Sequence, residues 1–228
     1  YILNKKDRTP IIFIHGVGLD HSIWDPQINE FDNTVLIYDI LGHGKTPLNK
    51  NDLSFDDFSD QILNLMDELK FNKVHLVGFS IGSLIARNFA TRFNDRLASL
   101  TLLCSIFNRS DKEQKIVNDR FEQTKKDHKL TKDALKRWFT EDFLNKNPDI
   151  SDKIFNILQN NNMNNFIKIY SLFVKHKDNE KFENINTKTL VITGEGDIGS
   201  TPEMSINLGK KIKNSVVKII PKGKHLCS

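Results

Sequence analysis

Apolar residues follow two rhythms along this chain. Continuous apolar-rich runs occupy 11–14, 34–39, 74–77, 97–104, 189–194 and 215–220, and most are bounded by turn-forming residues. Short unbroken runs of this kind predict strands buried on both faces of a sheet. Between them, 54–70 places Phe55, Phe58, Ile62, Leu65, Met66 and Leu69 at helical spacing, with Asp56 and Asp57 near its start. The segment 83–93 repeats the helical rhythm with Leu84, Ile85 and Phe89, and Thr201-Pro202-Glu203 opens another helix with a cap and a first-turn proline. A short capped helix begins at Asp20 and is anchored by Trp24. Alternating strand and helix predict the α/β class: a mostly parallel central sheet with helices on both faces.

From 108 to 181 the alternation stops. Helical patterns at 113–126, 132–144, 150–159 and 164–176 follow one another with no strand between them. This divides the chain into a first core part (1–107), an all-helical insertion (108–185) and a second core part (186–228). An insertion between two sheet strands is expected to lie as a lid over the carboxyl ends of the strands. It offers Ile116, Phe121, Trp138, Phe139, Phe143, Phe166 and Tyr170 to a pocket wall, although most of these aromatics serve to hold the lid together. Trp24, Trp138 and Phe139 are the candidate pocket residues.

The chemistry collects where strands end. Val74-His75-Leu76-Val77 runs into Gly78-Phe79-Ser80-Ile81-Gly82 and then directly into a helix. That order is the nucleophile elbow: the strand carries Ser80 to the sheet edge, a strained turn pushes it outward, and the helix N-terminus supplies amides to developing negative charge. Side chains at 78 and 82 would collide where strand and helix backbones meet. The strand 11–14 exits into His15-Gly16-Val17-Gly18, a loop able to place the Val17 N–H beside the elbow. Paired with the Ile81 N–H, it would form an oxyanion hole. The bland alternative is that His15 merely holds its loop by bonding backbone.

The strand 189–194 exits into Glu195-Gly196-Asp197, and the last strand into Pro221-Lys222-Gly223-Lys224-His225. Asp197 is the favoured acid, with Glu195 its local rival. His225 is the favoured base, with His43, between Gly42 and Gly44 at another strand exit, the less favoured one. Acyl transfer to water through such a set asks for no metal and no organic cofactor.

Composition narrows the class without changing it. With 228 residues, 38% hydrophobic and 27% charged, one compact domain with a sizeable core is expected, and neither a disordered chain nor a membrane protein. The net charge of +4 resides in 108–188, scattered among apolar-periodic segments, which reads as a solvated helical surface and not as a nucleic-acid patch. No apolar run is long enough to span a bilayer. Cys104 and Cys227 lack any Cys-x-x-Cys spacing and are expected to be free thiols in a reducing compartment, consistent with a cytoplasmic location. Residues 1–6 read as the end of a strand and not as a signal peptide. Oligomeric state is not legible.

The chain order Ser80, Asp197, His225 is that of α/β-hydrolases and differs from the chymotrypsin and subtilisin orders. Together with His15-Gly16-Val17-Gly18, Ser22-Ile23-Trp24-Asp25-Pro26-Gln27, Asp39-Ile40-Leu41-Gly42-His43-Gly44-Lys45-Thr46 and Gly223-Lys224-His225, the sequence resembles the lidded esterase and lactonase branch of the α/β-hydrolase superfamily. That branch includes 3-oxoadipate enol-lactonases, meta-cleavage-product hydrolases and small carboxylesterases. The resemblance implies a serine hydrolase acting on a small-molecule carboxylic ester or lactone. One alternative is a C–C bond hydrolase of ring-cleavage products using the same triad. Another is a hydrolase-like receptor that binds a small ligand and presents its lid to a protein. It also implies further strands before residue 1 and a terminal helix after His225, so the sequence reads as cut short at both ends.

Overall fold

The computed structural model describes residues 1–227. Its strands are β1 (Ile2–Asn4), β2 (Arg8–Ile14), β3 (Asn33–Tyr38), β4 (Val74–Phe79), β5 (Leu97–Leu103), β6 (Thr189–Gly194) and β7 (Ser215–Ile220). They form one sheet in the order β1-β3-β2-β4-β5-β6-β7, parallel throughout except for β1, which pairs antiparallel with β3. The expected α/β architecture is therefore the one observed.

Helices α1 (Phe55–Glu68) and α2 (Ile81–Arg92) pack on one face. Alternation along β2 sorts the core into two layers. Ile12 and Ile14 join Leu36, Leu76, Phe58, Ile62, Leu84 and Phe89 on one side, and Ile11 and Phe13 join Val35, Ile37, Phe79, Trp24 and Leu135 on the other. Helix α8 (Pro202–Lys211) connects β6 to β7, with Thr201 capping it by accepting the Met204 N–H.

Between β5 and β6 the chain forms five helices and no strand: α3 (Asp111–Asp127), α4 (Asp133–Trp138), α5 (Glu141–Lys146), α6 (Pro148–Gln159) and α7 (Met163–Lys175). Helix α3 starts at a Ser110–Glu113 capping box. The single helix expected over 132–144 is two. Phe139 is extended, and the Thr140 hydroxyl accepts the Phe143 N–H, so Thr140 with Glu141 and Asp142 forms a new helix start where the apolar rhythm alone runs on. Within this insertion Val117, Phe121, Phe166, Tyr170 and Val174 make their own cluster. No helix among the described residues is long and apolar enough to cross a membrane.

Strand order sets the location of chemistry. After β2 the chain moves outward to β3, then returns to lay β4 on the other side of β2, so the loops leaving β2 and β4 diverge. Ligand crevices of open parallel sheets form at such a reversal, at the carboxyl ends of the strands. Ile14 is in register with Gly78, Phe79 with Leu103, and Gly194 with Ile220, so the exits of β2, β4, β6 and β7 open on one rim.

Candidate active site

Ser80 is the single residue between β4 and α2. Its backbone is at φ 56°, ψ −117°, a conformation that costs a non-glycine residue about 1–3 kcal/mol and holds its side chain outward. Its N–H donates to the Leu103 carbonyl at 2.9 Å, and its carbonyl accepts the Ser83 N–H at 2.9 Å. The two glycines that flank the turn have no room for anything else. A Cβ on Gly78 would lie 2.2 Å from the Gly82 carbonyl oxygen, and one on Gly82 would lie 2.6 Å from the Ile14 carbonyl oxygen.

His225 Nε2 lies 3.1 Å from Ser80 Oγ, and His225 Nδ1 lies 2.7 Å from Asp197 Oδ2. The other Asp197 oxygen accepts the N–H groups of Gly199 at 2.8 Å and Ser200 at 3.0 Å. Burial pushes the Asp197 carboxyl up, but the charge and hydrogen bond of His225 and these two amides outweigh it and hold it below the usual range. Asp197 thus remains a carboxylate with one oxygen reserved for the imidazole. The loops after β6 and β7 meet because Gly194 packs on the Gly223 backbone and the Gly196 N–H donates to the Gly223 carbonyl at 2.8 Å. The His225 loop is further held by the Leu226 N–H on the Trp138 carbonyl at 3.0 Å, and by the Cys104 thiol on the His225 carbonyl at 2.9 Å.

The loop after β2 is positioned by two histidines. His15 Nδ1 donates to the Gly16 carbonyl at 2.8 Å, which also accepts the Leu19 N–H at 3.2 Å. In a trans peptide this leaves the Val17 N–H on the opposite side. Gly16 itself abuts the elbow, since a Cβ there would sit 3.3 Å from Ser80 Cβ. Neither the Val17 nor the Ile81 N–H has an acceptor among the described residues. His43 accepts the Gly18 N–H at 2.8 Å and is fully buried against His15. Burial and the neighbouring His15 push its pKa down to about 3. As a neutral acceptor bonded to a loop amide, His43 holds the Val17 loop and is not placed as a base. Glu195, the rival acid, is exposed and accepts the Lys222 N–H at 2.9 Å, away from the histidine.

A cavity of about 370 Å³ opens above Ser80 and His225, walled by Val17, Trp138, Phe166, Tyr170 and neighbours from α3 and α4. Trp138 is on this wall. Trp24 and Phe139 are not, and both are corrected. Trp24 is buried under β2 with its ring 4.8 Å from Phe13, and Phe139 is stacked on Phe143 at 4.8 Å. Residue type foretold their burial but not the side on which it happens.

Three residues on this wall escaped the sequence reading. The chain has seven arginines. Arg8, Arg87, Arg92 and Arg96 each pair with a carboxylate. Arg109, Arg120 and Arg137 do not, among the described residues, and these three line the cavity. Arg109 donates to the Phe173 and Val174 carbonyls and lies over the Phe173 ring at 4.4 Å, while Arg137 donates to the Asp133 carbonyl. Burial lowers both guanidinium pKa values, that of Arg109 to about 10, so both remain cations. Glu113, the half-buried carboxylate beside them, is occupied in the α3 cap, while Asp127 and Asp133 stand exposed at the rim. Their one visible signal was being arginine in a segment whose other cations are nearly all lysine.

Side chains able to ligate a metal gather at Cys104, Asp197 and His225, and at His176, Asp178 and Glu180. The first set is committed to Ser80 and to one another. In the second, Arg87 Nη2 sits 2.6 Å from both carboxylates, where a cation would have to be.

A family model described as alpha/beta hydrolase fold matches residues 9–227. The chain is 29% identical over 232 residues to an (E)-2-((N-methylformamido)methylene)succinate hydrolase of Acinetobacter baylyi, covering 99% of this chain and 87% of that protein. It is 26% identical over 200 residues to 3-oxoadipate enol-lactonase 1 of the same organism, covering 86% and 74%. Among solved structures, the enol-lactonase from Burkholderia xenovorans LB400 superposes with a TM-score of 0.87 at 23% identity, over 99% of this chain and 88% of that one.

Proposed function

The chain belongs to the alpha/beta hydrolase family, and we propose that within it this protein is a serine hydrolase cleaving a small-molecule carboxylic ester or lactone. The observation that carries this is the continuous relay from Asp197 through His225 to a strained, outward-facing Ser80. His225 takes the Ser80 proton as Oγ attacks the carbonyl, Asp197 orients the imidazole and stabilises its charged form, and the acyl-enzyme is then hydrolysed by water in the reverse sense. The Val17 and Ile81 N–H groups receive the oxyanion. Donors that are fixed in place and lack other partners are worth roughly 100- to 1000-fold in rate each. The helices of 108–185 act as the lid that closes the cavity over Ser80.

The unpaired Arg109, Arg120 and Arg137 add a substrate class: an acyl or alcohol portion bearing a carboxylate. A guanidinium in a half-buried wall is stabilised by an anion, and a charged hydrogen bond there is worth about 1.5–3 kcal/mol. The curated relatives named above act on a succinate derivative and an oxoadipate enol-lactone, both carboxylates by name. The same polar wall favours, as a second reading, hydrolysis of a C–C bond in a carboxylated ring-cleavage product.

The test is a substrate panel: a neutral p-nitrophenyl ester, a matched ester whose acyl chain ends in a free carboxylate, an enol-lactone and a coloured dienoate. Turnover of the carboxylated ester or lactone above the neutral ester is expected, with Arg120→Ala and Arg137→Ala lowering kcat/KM for it by roughly 10- to 100-fold and sparing the neutral ester. Turnover of the dienoate alone would select the second reading. No turnover of any member, or equal losses on both esters, would count against the proposal.

A further inference from the structure

Beyond the triad, the structure brings the chain's two cysteines together directly behind it. Cys104 directly follows β5 at φ 50°, is 1% exposed, and is fixed by its N–H on the Ile192 carbonyl at 2.7 Å. Cys227 is half-buried in the loop that carries His225. The two sulfurs are 3.8 Å apart, and the Cys104 thiol also donates to the His225 carbonyl at 2.9 Å. One thiol is on the rigid sheet; the other is two residues from the candidate base.

We propose that Cys104 and Cys227 are a peroxide-oxidised pair whose reversible disulfide draws the His225 loop out of line with Ser80. The chemistry balances with hydrogen peroxide as oxidant. The Cys227 thiolate attacks one peroxide oxygen, the O–O bond breaks, and a sulfenic acid forms on Cys227 as the departing hydroxide takes up the thiol's proton to become water. The Cys104 sulfur then attacks the sulfenic sulfur, the S–O bond breaks, and the leaving hydroxide takes the Cys104 proton as a second water. Two thiols and one peroxide become one disulfide and two waters, with two electrons passing from sulfur to oxygen. Cys104 is buried and Cys227 is the more accessible of the two sulfurs, which makes Cys227 the attacking one.

The geometry gives the consequence. A disulfide needs its sulfurs at about 2.05 Å, so they must close by about 1.8 Å from their present separation. Cys104 cannot yield, being anchored by its buried position at the strand end. The approach falls on Cys227, by rotation of its side chain and displacement of the loop that carries it, and the Cys104 hydrogen bond that holds the His225 carbonyl is lost together with its proton. The 3.1 Å contact between His225 Nε2 and Ser80 Oγ has no slack for such a shift. Reduction by an external dithiol restores both thiols and the bond.

The inference rests on His225 being the base of the proposed hydrolase, and the experiment separates the two. The full chain, first reduced, is treated with hydrogen peroxide. It is followed by intact mass and non-reducing peptide mapping, by p-nitrophenyl ester turnover, and by the His225 ring resonances, assigned through a His225→Gln variant. Expected are loss of two hydrogens as a 104–227 cross-link, shifted His225 resonances, a fall in turnover of roughly 100-fold, the scale of a lost general base, and recovery with dithiothreitol. Cys227→Ser should keep the turnover of reduced wild type and ignore peroxide. Two alkylatable thiols after oxidation would overturn the proposal, as would a cross-link that leaves the His225 resonances unchanged. A reduced protein without esterase activity would fail the hydrolase reading, while mass and resonances still decide the redox pair.

Discussion

His43 shows how far a residue's type can mislead about its role. A histidine between glycines at a strand exit is a reasonable base, yet here it is a buried neutral acceptor for the Gly18 amide, with its pKa pushed down to about 3. His15, fully buried beside it, is also lowered by burial. The linkage follows in sign: unfolded, these histidines take up protons below about 6.5, but folded His43 does not until about 3, so stability present at neutral pH is lost as pH falls through that window. One such group costs about 1.4 kcal/mol per pH unit, or roughly 2 kcal/mol by pH 5. Asp197, held below the ordinary carboxyl range, adds a loss of the same sign only below about pH 4, where its unfolded form takes up a proton, and so adds little between pH 7 and pH 5. Urea unfolding at pH 7 and pH 5 should register the loss, and His43→Gln should flatten the dependence; parallel losses in both proteins would contradict the assignment. At this scale Ser80, Asp197 and His225 were legible because each follows an apolar run and stands in a glycine-containing turn. Trp24 and Phe139 were not, because an apolar ring announces burial without saying against what, and Arg109, Arg120 and Arg137 merged into a surface of scattered charge.

The elbow, as an element, tolerates no added atom. A Cβ at Gly78 meets the Gly82 carbonyl at 2.2 Å, and because the obstacle is backbone on both sides, no rotamer relieves it. Gly78→Ala is expected to cost about 3 kcal/mol or more, the upper end of overpacking. Gly196→Ala, whose Cβ would lie 3.3 Å from the Gly223 carbonyl oxygen, should be far milder. Urea midpoints of the two variants measure the difference, and similar values would refute the crowding argument. The strands and the elbow turn were legible from the short apolar runs and the glycine spacing. The break of 132–144 into two helices was not, because a threonine cap at 140 leaves the apolar rhythm intact while redirecting the backbone. Neither could periodicity say that Gly16 and His43 cooperate, since 27 positions separate them and only the pairing of β2 with β3 brings their loops together.

Across the whole molecule, the helical insertion is tied back to the elbow helix by one buried cation. Arg87 on α2 is inaccessible to solvent, donates to the Ile106 carbonyl at 2.8 Å, and pairs at 2.6 Å with both Asp178 and Glu180 beyond α7. It also lies over the Phe182 ring at 5.0 Å. Removing one member of such a cluster strands the others, so Arg87→Ala should cost about 3–5 kcal/mol in urea unfolding, far more than Arg8→Ala, whose pairing with Asp32 is exposed. Equal costs would contradict the role given to the cluster. This join was invisible in sequence because its members are 91 residues apart. All of it serves one arrangement, in which a strained serine faces a histidine whose far nitrogen is held by a buried carboxylate. Labelling with a fluorophosphonate probe followed by peptide mapping tests that arrangement most directly. A single adduct on Ser80 is predicted, absent in Ser80→Ala and formed far more slowly in His225→Gln. An adduct on another residue, or undiminished labelling of Ser80→Ala, would contradict the assignment of Ser80 as the nucleophile.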